Sequence, residues 1–259
     1  MIKTENFFLD SIKTVNVVIE IKNLSKGFAD QKVLRNLSLN LLKGENLVIL
    51  GKSGSGKSVL IKCIVRLLRF DKGTIEILGE NVNKINSKRL SALREKIGFL
   101  FQSGALYDSM TIKQNLEFPL IRIKKKLSKK EREAKIVEVL ENVGLAHTLN
   151  KMPSELSGGM RKRASLARTI IVDPIIMLYD EPTTGLDPVT SDGISALIND
   201  VQKKYKTSSI IITHDIECAR ATADRIIILQ DGEVYMEGNI GDFENSNDEL
   251  IQSFFKQKT

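Results

Sequence analysis

The chain has 259 residues, of which 42% are hydrophobic and 27% charged, and its formal net charge is +7. This composition is ordinary for a globular protein, and no run of eighteen apolar residues offers a membrane span, so the chain is not expected to be a channel. The positive charge fits nucleic acid, an anionic membrane surface or an acidic partner equally well.

The N-terminus and the cysteines indicate the compartment. Residues 1–16 (MIKTENFFLDSIKTVN) have a short apolar core and no small-residue cleavage site, so they do not resemble a signal peptide. Cys63 and Cys218 are isolated in the sequence, and both fall in predicted helices where a small apolar residue is ordinary. We therefore expect a protein of the reducing cytoplasm.

Two alternating segments, 17–21 and 33–41, predict strands of an antiparallel sheet ahead of a glycine-rich loop. Phe28 lies in the turn between them. Its ring can stack on a purine base or pack on the sheet, and the pattern favours neither. A further short strand is predicted at 73–78.

Residues 51–58 (GKSGSGKS) satisfy the phosphate-loop pattern of a glycine, four residues and Gly-Lys-Ser. Glycines allow successive backbone amides to approach a polyphosphate, a lysine reaches its outer phosphates, and a serine hydroxyl is a ligand that Mg²⁺ accepts. A buried strand at 46–50 enters the loop, and a helix at 59–68 leaves it with its positive end toward the phosphates. The segment predicts binding of a nucleoside triphosphate and Mg²⁺.

Polar side chains follow three further apolar strands. The strand at 97–101 delivers Gln102, the strand at 175–179 ends on Asp180 and Glu181, and the strand at 209–213 ends at His214. Ligands bind at the carboxyl ends of parallel strands, so these groups are expected beside the loop. There Asp180 would anchor the metal opposite Ser58, Glu181 would act as general base, and His214 would donate to the γ-phosphate.

The remaining segments are mostly helical. Residues 103–169 predict a helical insertion, with a helix at 127–142 opened by a capping box of Ser128 and Glu131 and a later helix from Ser157. Another helix starts at Pro188, and a hairpin is predicted at 225–237. A second capping box, Ser246 with Glu249, opens a tail helix to 255 whose apolar stripe should dock on a surface that the sequence does not identify.

The motif LSGGM at 156–160 identifies a family. In order, Phe28, the loop, Gln102, LSGG, IIMLYDEP at 175–182, GLD at 185–187 and His214 resemble the nucleotide-binding subunits of ABC transporters, from about residue 17 to 242. The resemblance implies an α/β P-loop NTPase with a parallel core, an antiparallel β subdomain and a helical subdomain inserted at about 103–169. We therefore predict one domain at 17–245, preceded by an N-terminal extension at 1–16 and followed by a helical tail at 246–259 whose role no motif indicates.

The resemblance also implies the site. ATP and Mg²⁺ are the expected cofactors, and two copies are expected to pair head to tail around ATP, so that Ser157, Gly158 and Gly159 contact the γ-phosphate held by the partner. Catalytic roles fall on Lys57, Gln102, Glu181 and His214, and metal binding on Ser58, Gln102 and Asp180. Nucleotide contacts within the chain are expected from Phe28, Gly51, Lys52, Ser53, Gly54, Ser55, Gly56, Lys57, Ser58, Val59 and Asp187.

Two strings, FQSGALYDSMT at 101–111 and MPSELSGGM at 152–160, look most like the ATPase of Mla/MCE-type phospholipid transporters. Phe28 stands where tyrosine is usual in the wider family, and Met160 where glutamine is usual, although methionine suits the lipid subgroup. The likeness implies an integral-membrane permease whose coupling helix sits near Gln102 and residues 104–110. It also implies a peripheral location on the cytoplasmic face of the inner membrane.

Two alternatives stay open at this point. One is a transporter ATPase for another cargo, such as an amino acid or a metal. The other is an ABC-type ATPase that acts on nucleic acid or ribosomes, but such proteins typically carry two cassettes or a coiled-coil insertion, and neither pattern is present here. No nucleic-acid partner is therefore expected. A small regulatory subunit, the direction of transport and the cargo itself are not encoded in these motifs.

Overall fold

The structure is a computed structural model that describes residues 16–29 and 31–255. All but the last residue of the predicted N-terminal extension, and residues 256–259 of the predicted tail, lie outside this part. Its strands are β1 (Val17–Phe28), β2 (Gln31–Leu42), β3 (Asn46–Leu50), β4 (Lys72–Ile77), β5 (Glu80–Asn81), β6 (Ile97–Leu100), β7 (Ile176–Asp180), β8 (Ser208–Thr213), β9 (Arg225–Gln230) and β10 (Glu233–Gly238).

The helices are α1 (Lys57–Ile64), α2 (Ser87–Arg94), α3 (Ile112–Ile123), α4 (Lys129–Asn142), α5 (Gly158–Ile170), α6 (Pro188–Tyr205), α7 (Ile216–Thr222), α8 (Ile240–Glu244) and α9 (Glu249–Phe255), with 3-10 turns at Ala146–Thr148 and Pro153–Glu155. Within residues 16–29 and 31–255, no helix combines the length and the apolar character that a membrane crossing requires.

The strands form two sheets. An antiparallel sheet has the order β2-β1-β4-β5, and a six-stranded sheet has the order β10-β9-β3-β8-β7-β6, in which only β10 runs antiparallel to its neighbour. Strands β3, β7 and β8 are buried along their whole length, as expected for the centre of a parallel sheet covered on both faces. The fold is therefore the predicted α/β architecture with a separate antiparallel sheet.

Apolar residues gather into two clusters that share the parallel sheet. One packs β3 and β7 against the helices between β6 and β7, and the other fills the space between the antiparallel sheet, α1 and the opposite side of the parallel sheet. Every element between β6 and β7 is helical, and Ser128 and Glu131 form the predicted capping box at the start of α4. The precise bounds of the helical insertion stay a prediction.

Three local predictions were wrong. Helix α1 ends at Ile64 rather than at residue 68, because Arg66 adopts a left-handed conformation (φ 55°) and the N–H groups of Leu67 and Leu68 turn back to the carbonyl of Lys62. Phe28 is the last residue of β1, where it pairs with Gln31, and does not lie in the turn.

The third correction concerns the tail. The predicted capping box of Ser246 and Glu249 does not form: Asp248 accepts the N–H of Ile251 at 3.1 Å, and the Ser246 hydroxyl only accepts the N–H of Asp248 at 3.2 Å. Asp248 also accepts the hydroxyl of Tyr235 at 2.7 Å, so a contact with β10 holds the residue that caps α9. The helix docks as expected, with Phe254 buried in the core cluster.

Candidate active site

The glycine-rich loop joins β3 to α1 with a backbone that leaves no room for a side chain at Gly51 or Gly56. A Cβ on Gly51 would lie 2.5 Å from Ser55 Oγ and 2.6 Å from the carbonyl oxygen of Leu229 on β9. Gly56 has φ 103°, and a Cβ there would lie 2.9 Å from the carbonyl oxygen of Val33. At these two glycines the backbone is free of side chains beside the N-terminal end of α1, an arrangement that suits phosphate.

Lys57 lies beneath this loop. Its Nζ donates to the carbonyl oxygens of Gly51 at 2.6 Å and Lys52 at 3.2 Å, and it lies 3.8 Å from Glu181 Oε1. Burial lowers the pKa of Lys57, while the charges of Glu181 and Asp180 oppose the shift. Two backbone carbonyls therefore hold the ammonium at the loop. A bound phosphate could replace them as its hydrogen-bond acceptor.

Ser58 and Asp180 face each other across the end of β7. The Ser58 hydroxyl donates to Asp180 Oδ1 at 3.2 Å. Burial raises the pKa of Asp180, and the hydrogen bond from Ser58 opposes that rise. Mg²⁺ prefers hard oxygen ligands, and it usually binds only one or two protein groups together with substrate phosphates. The hydroxyl of Ser58 and the carboxylate of Asp180 therefore fit the expected metal.

Glu181 is held from several directions. Its Oε2 lies 2.8 Å from His214 Nδ1 and accepts the hydroxyl of Thr184 at 3.0 Å. Its backbone is left-handed (φ 51°), and its N–H donates to the carbonyl of Ile212 at 2.9 Å. Such a conformation is unfavourable for a residue with a Cβ, and when it is retained it often marks a functional position.

The contact with Glu181 assigns the two nitrogens of His214. A carboxylate only accepts hydrogen bonds, so Nδ1 must donate to it. In the neutral ring Nε2 then carries no hydrogen, and donation to a phosphate from Nε2 requires the protonated ring. His214 is more than half exposed at its side chain (58%), which leaves the ring accessible to a ligand.

One cavity of ≈ 650 Å³ collects most of the predicted residues. Its walls include ten of them, which come from the loop, α1 and the ends of β6, β7 and β8: Lys52, Ser53, Gly54, Gly56, Lys57, Ser58, Val59, Gln102, Glu181 and His214. Three other predicted residues adjoin it without lining it. Gly51 binds Lys57 through its carbonyl, Asp180 lies behind Ser58, and Ser55 lines the neighbouring cavity on the far side of the loop.

The cavity also has walls that the sequence analysis missed. Val33 of β2, Ile216 of α7 and two residues of α9, Ser253 and Phe254, complete it. Thr184, which binds Glu181, was missed as well, although its position in the Thr-Thr pair that follows Pro182 was an available signal. No local motif marks Ser253 or Phe254.

A second group of predicted residues does not line this cavity. Phe28 is 45% exposed, with Lys26 Nζ 5.0 Å from its ring centre. Ser157 caps α5 by accepting the N–H of Met160 at 3.3 Å, and Asp187 caps α6 by accepting the N–H of Thr190 at 3.0 Å. Gly158 and Gly159 start α5, where a Cβ on Gly159 would lie 2.4 Å from Thr190 Cγ2.

Comparison with known proteins points in one direction. Residues 34–184 match the family described as ABC transporter. The chain is 38% identical over 245 residues to the probable ribonucleotide transport ATP-binding protein mkl of Mycobacterium leprae (strain TN), covering 95% of this chain and 70% of the relative. It is 37% identical over 246 residues to the methionine import ATP-binding protein MetN of Bartonella henselae (strain ATCC 49882 / DSM 28221 / CCUG 30454 / Houston 1), covering 93% and 71%.

A plant protein and a solved structure extend the likeness. The chain is 35% identical over 256 residues to the chloroplastic protein TRIGALACTOSYLDIACYLGLYCEROL 3 of Arabidopsis thaliana, covering 92% of this chain and 73% of the relative. The dimeric structure of MJ0796, a bacterial ABC transporter cassette, is 34% identical with a TM-score of 0.79 and covers 86% of this chain and 98% of its own. A second MJ0796 structure, in a post-hydrolysis state with ADP and Pi, matches with a TM-score of 0.78, 34% identity and the same coverage.

Proposed function

The chain belongs to the ABC transporter family, and from this premise we propose that it is the ATP-hydrolysing subunit of a transporter that moves phospholipid between membranes. ATP binding and ABC-type ATP hydrolysis follow from the family itself. The cargo, the metal, the dimer and the permease are parts of the proposal, and each has its own support.

The observation that carries the proposal is the meeting of Lys57, Ser58, Glu181 and His214 at one cavity, with Asp180 directly behind Ser58. Lys57 neutralises charge on the outer phosphates, and Glu181, fixed by Thr184 and His214, takes the proton of the attacking water. Ser58 and Asp180, with Gln102 at the cavity wall, would hold Mg²⁺. When bound, the ion neutralises charge on the phosphate oxygens.

We propose that the working form is a homodimer. Ser157, Gly158 and Gly159 form a helix N-terminus with a serine hydroxyl, which suits an anion, yet the cavity of their own chain does not include them. The dimeric MJ0796 structures support pairing of two copies, and we propose that in this pair the anion site faces the other copy's loop. Each copy then supplies half of each catalytic site.

We propose that an integral-membrane permease binds the surface around Tyr107. Tyr107 is 41% exposed, its ring lies 5.2 Å from that of Phe118, and the guanidinium of Arg168 lies 4.7 Å from its centre. This cluster of two aromatic rings and one guanidinium includes Tyr107 of residues 104–110, where we propose that a permease's coupling helix docks. The protein would then lie at the cytoplasmic face of the inner membrane as a peripheral subunit.

Phospholipid cargo is supported by the strings at 101–111 and 152–160, and a lipid cargo in general by a relative that carries the name of a glycolipid. A second cargo class has its own support, because the relative MetN is named for methionine import. An ATPase subunit does not touch the cargo, so its own geometry does not separate the two. Phospholipid remains the proposal, with an amino acid as the alternative.

The chemistry is tested by Glu181→Gln. Gln keeps the shape of the side chain but does not accept the proton, so we expect unchanged ATP affinity, at least about 10²-fold slower hydrolysis, and a dimer stabilised by unhydrolysed ATP. Phosphate release measures the rate of hydrolysis, and light scattering measures the dimer. Normal turnover in this variant would refute the proposed role of Glu181.

The cargo is tested by isolating the tagged protein from detergent-solubilised membranes and identifying its bound proteins and lipids by mass spectrometry. A permease complex that carries phospholipid supports the proposal. A permease complex without lipid that binds methionine would favour the alternative. Recovery with ribosomes or DNA would leave the ATPase chemistry intact and refute the transporter assignment.

A further inference from the structure

A buried lysine joins three parts of the site that no motif connects. Lys162, the fifth residue of α5, is only 8% exposed. Its Nζ donates to the carbonyl oxygen of Gln102 at 2.5 Å and to the carbonyl oxygen of Glu181 at 3.3 Å. One ammonium group therefore bridges α5, the segment after β6 and the segment after β7.

Burying this ammonium is costly, so its retention needs a reason. Burial lowers the pKa of Lys162, while the charges of Asp180 and Glu181 oppose that shift. Both hydrogen-bond acceptors are backbone carbonyls, so the side chain acts on the path of the main chain. An apolar residue of similar length would fill the space without that donor.

The Glu181 contact acts at the strained peptide described above. The N–H of Glu181 donates to Ile212 on β8, and its carbonyl accepts Lys162 Nζ together with a longer bond, 3.4 Å, from the N–H of Thr184. Hydrogen bonds on both sides of a left-handed residue fix its backbone. The direction of its carboxylate toward Thr184 and His214 depends on that backbone.

The second contact of Lys162 is with the carbonyl of Gln102, and Gln102 lines the cavity. We propose that Lys162 is a positioning residue for hydrolysis, which holds the main chains of Glu181 and Gln102 in register so that both side chains meet the same γ-phosphate. This inference rests on the proposed role of Glu181 as general base. It also gives α5 a second task, because the helix that Ser157 caps places its fifth residue, Lys162, against the backbone carbonyl of Glu181.

The test compares Lys162→Met, Lys162→Gln and Lys162→Arg in the full chain, with Lys135→Met as a matched control. Lys135 lies on α4 and pairs with Asp173, away from the cavity. Misplacement of a catalytic group by about 1 Å costs up to about 10²-fold in rate, so we expect kcat to fall by about 10- to 10²-fold in the Met and Gln variants. Because the loop is untouched, the Kd for a fluorescent ATP analogue should stay within about threefold of the wild-type value.

Two further readouts distinguish positioning from general support of the fold. Arg restores a cationic donor, so Lys162→Arg should recover most of the lost kcat. Amide hydrogen exchange in peptides that contain residues 101–104 and 181–184 should accelerate in the Met variant but not in the Arg or Lys135→Met variants. If the Met variant does not fold, the Gln and Arg variants carry the comparison.

The inference is overturned if the Met and Gln variants keep the wild-type kcat, or if ATP affinity falls in proportion to kcat. Glu181→Gln, measured alongside, separates the two levels. Slow hydrolysis in Glu181→Gln with wild-type behaviour in the Lys162 variants refutes only the positioning role. Normal hydrolysis in Glu181→Gln refutes the proposed general base, whatever the Lys162 variants do.

Discussion

At Gly56 the chain turns from the loop into α1 with φ 103° and no space for a side chain. A Cβ would meet both Val33 and Leu34 at 2.9 Å. Gly44 offers a matched control, since it is also left-handed (φ 76°) but has nothing within 4 Å. Both alanine variants incur the backbone strain of about 1–2 kcal/mol. Only Gly56→Ala should lose nucleotide affinity, by at least about tenfold in a fluorescence titration, and equal loss in Gly44→Ala would contradict this explanation.

The thiols of the two cysteines should be unreactive toward alkylating agents in the folded protein. Burial raises the pKa of each thiol, Cys63 and Cys218, to about 11. At pH 8 only about one thiol in 10³ is then a thiolate, and neither is accessible. We expect no alkylation of the native protein by iodoacetamide within an hour, and labelling of both after denaturation in guanidinium chloride, as measured by mass spectrometry. Rapid modification of the native chain would show that one of the helices opens.

The site residues that the sequence predicts are those whose roles follow from neighbouring residues in the chain. Lys57 and Ser58 belong to one contiguous motif, and Asp180 and Glu181 follow an apolar strand, so residue type and position predict where they lie. Phe254 and Lys162 act through tertiary packing, whereas Thr184 contacts Glu181 from only three positions away and was missed despite its local signal. Nothing in the residues adjacent to Lys162 indicates that its ammonium meets Gln102, because that contact spans 60 positions of sequence.

At the scale of elements, substitutions at the start of α9 test which residue caps this helix. Asp248→Ala removes the acceptor for Ile251 and for the Tyr235 hydroxyl, and should lower the melting temperature by about 2–4 °C. Asp248→Asn keeps a capping acceptor and should lower it less. Ser246→Ala should have a smaller effect than Asp248→Ala in the same calorimetric or fluorescence melt. The reverse order would favour the capping box expected from the sequence.

Element types were more predictable than their ends. Continuous apolar runs identify β7 and β8 as central parallel strands, because a strand with both faces covered has no polar side. The end of α1 was not predictable, since Arg66 is a good helix former and closes the helix through a left-handed turn instead. At α9 both Ser246 and Asp248 are able to cap, and the contact with Tyr235 on β10 favours Asp248.

At the scale of the whole molecule, the proposed head-to-tail pairing predicts complementation. Lys57→Ala removes the loop's ammonium, and Ser157→Arg blocks the anion site that faces the partner. A mixed dimer has one intact composite site and one doubly defective site. Random mixing makes about half of the dimers mixed, so about a quarter of all sites should be intact and ATPase activity should reappear toward that level. Mixtures as inactive as each variant alone would refute pairing across two chains.

The strand order has a consequence for synthesis of the protein. β3, which leads into the phosphate loop, pairs with β8 and β9, whose residues follow it by more than 150 positions. Non-local parallel pairings form slowly and only once both partners exist. On the ribosome, Lys57 and its loop therefore emerge early, but β3 can complete its pairing in the sheet only after β9 has been synthesised. A chain released before that point would carry the complete phosphate-loop sequence and still lack the sheet that holds it in place.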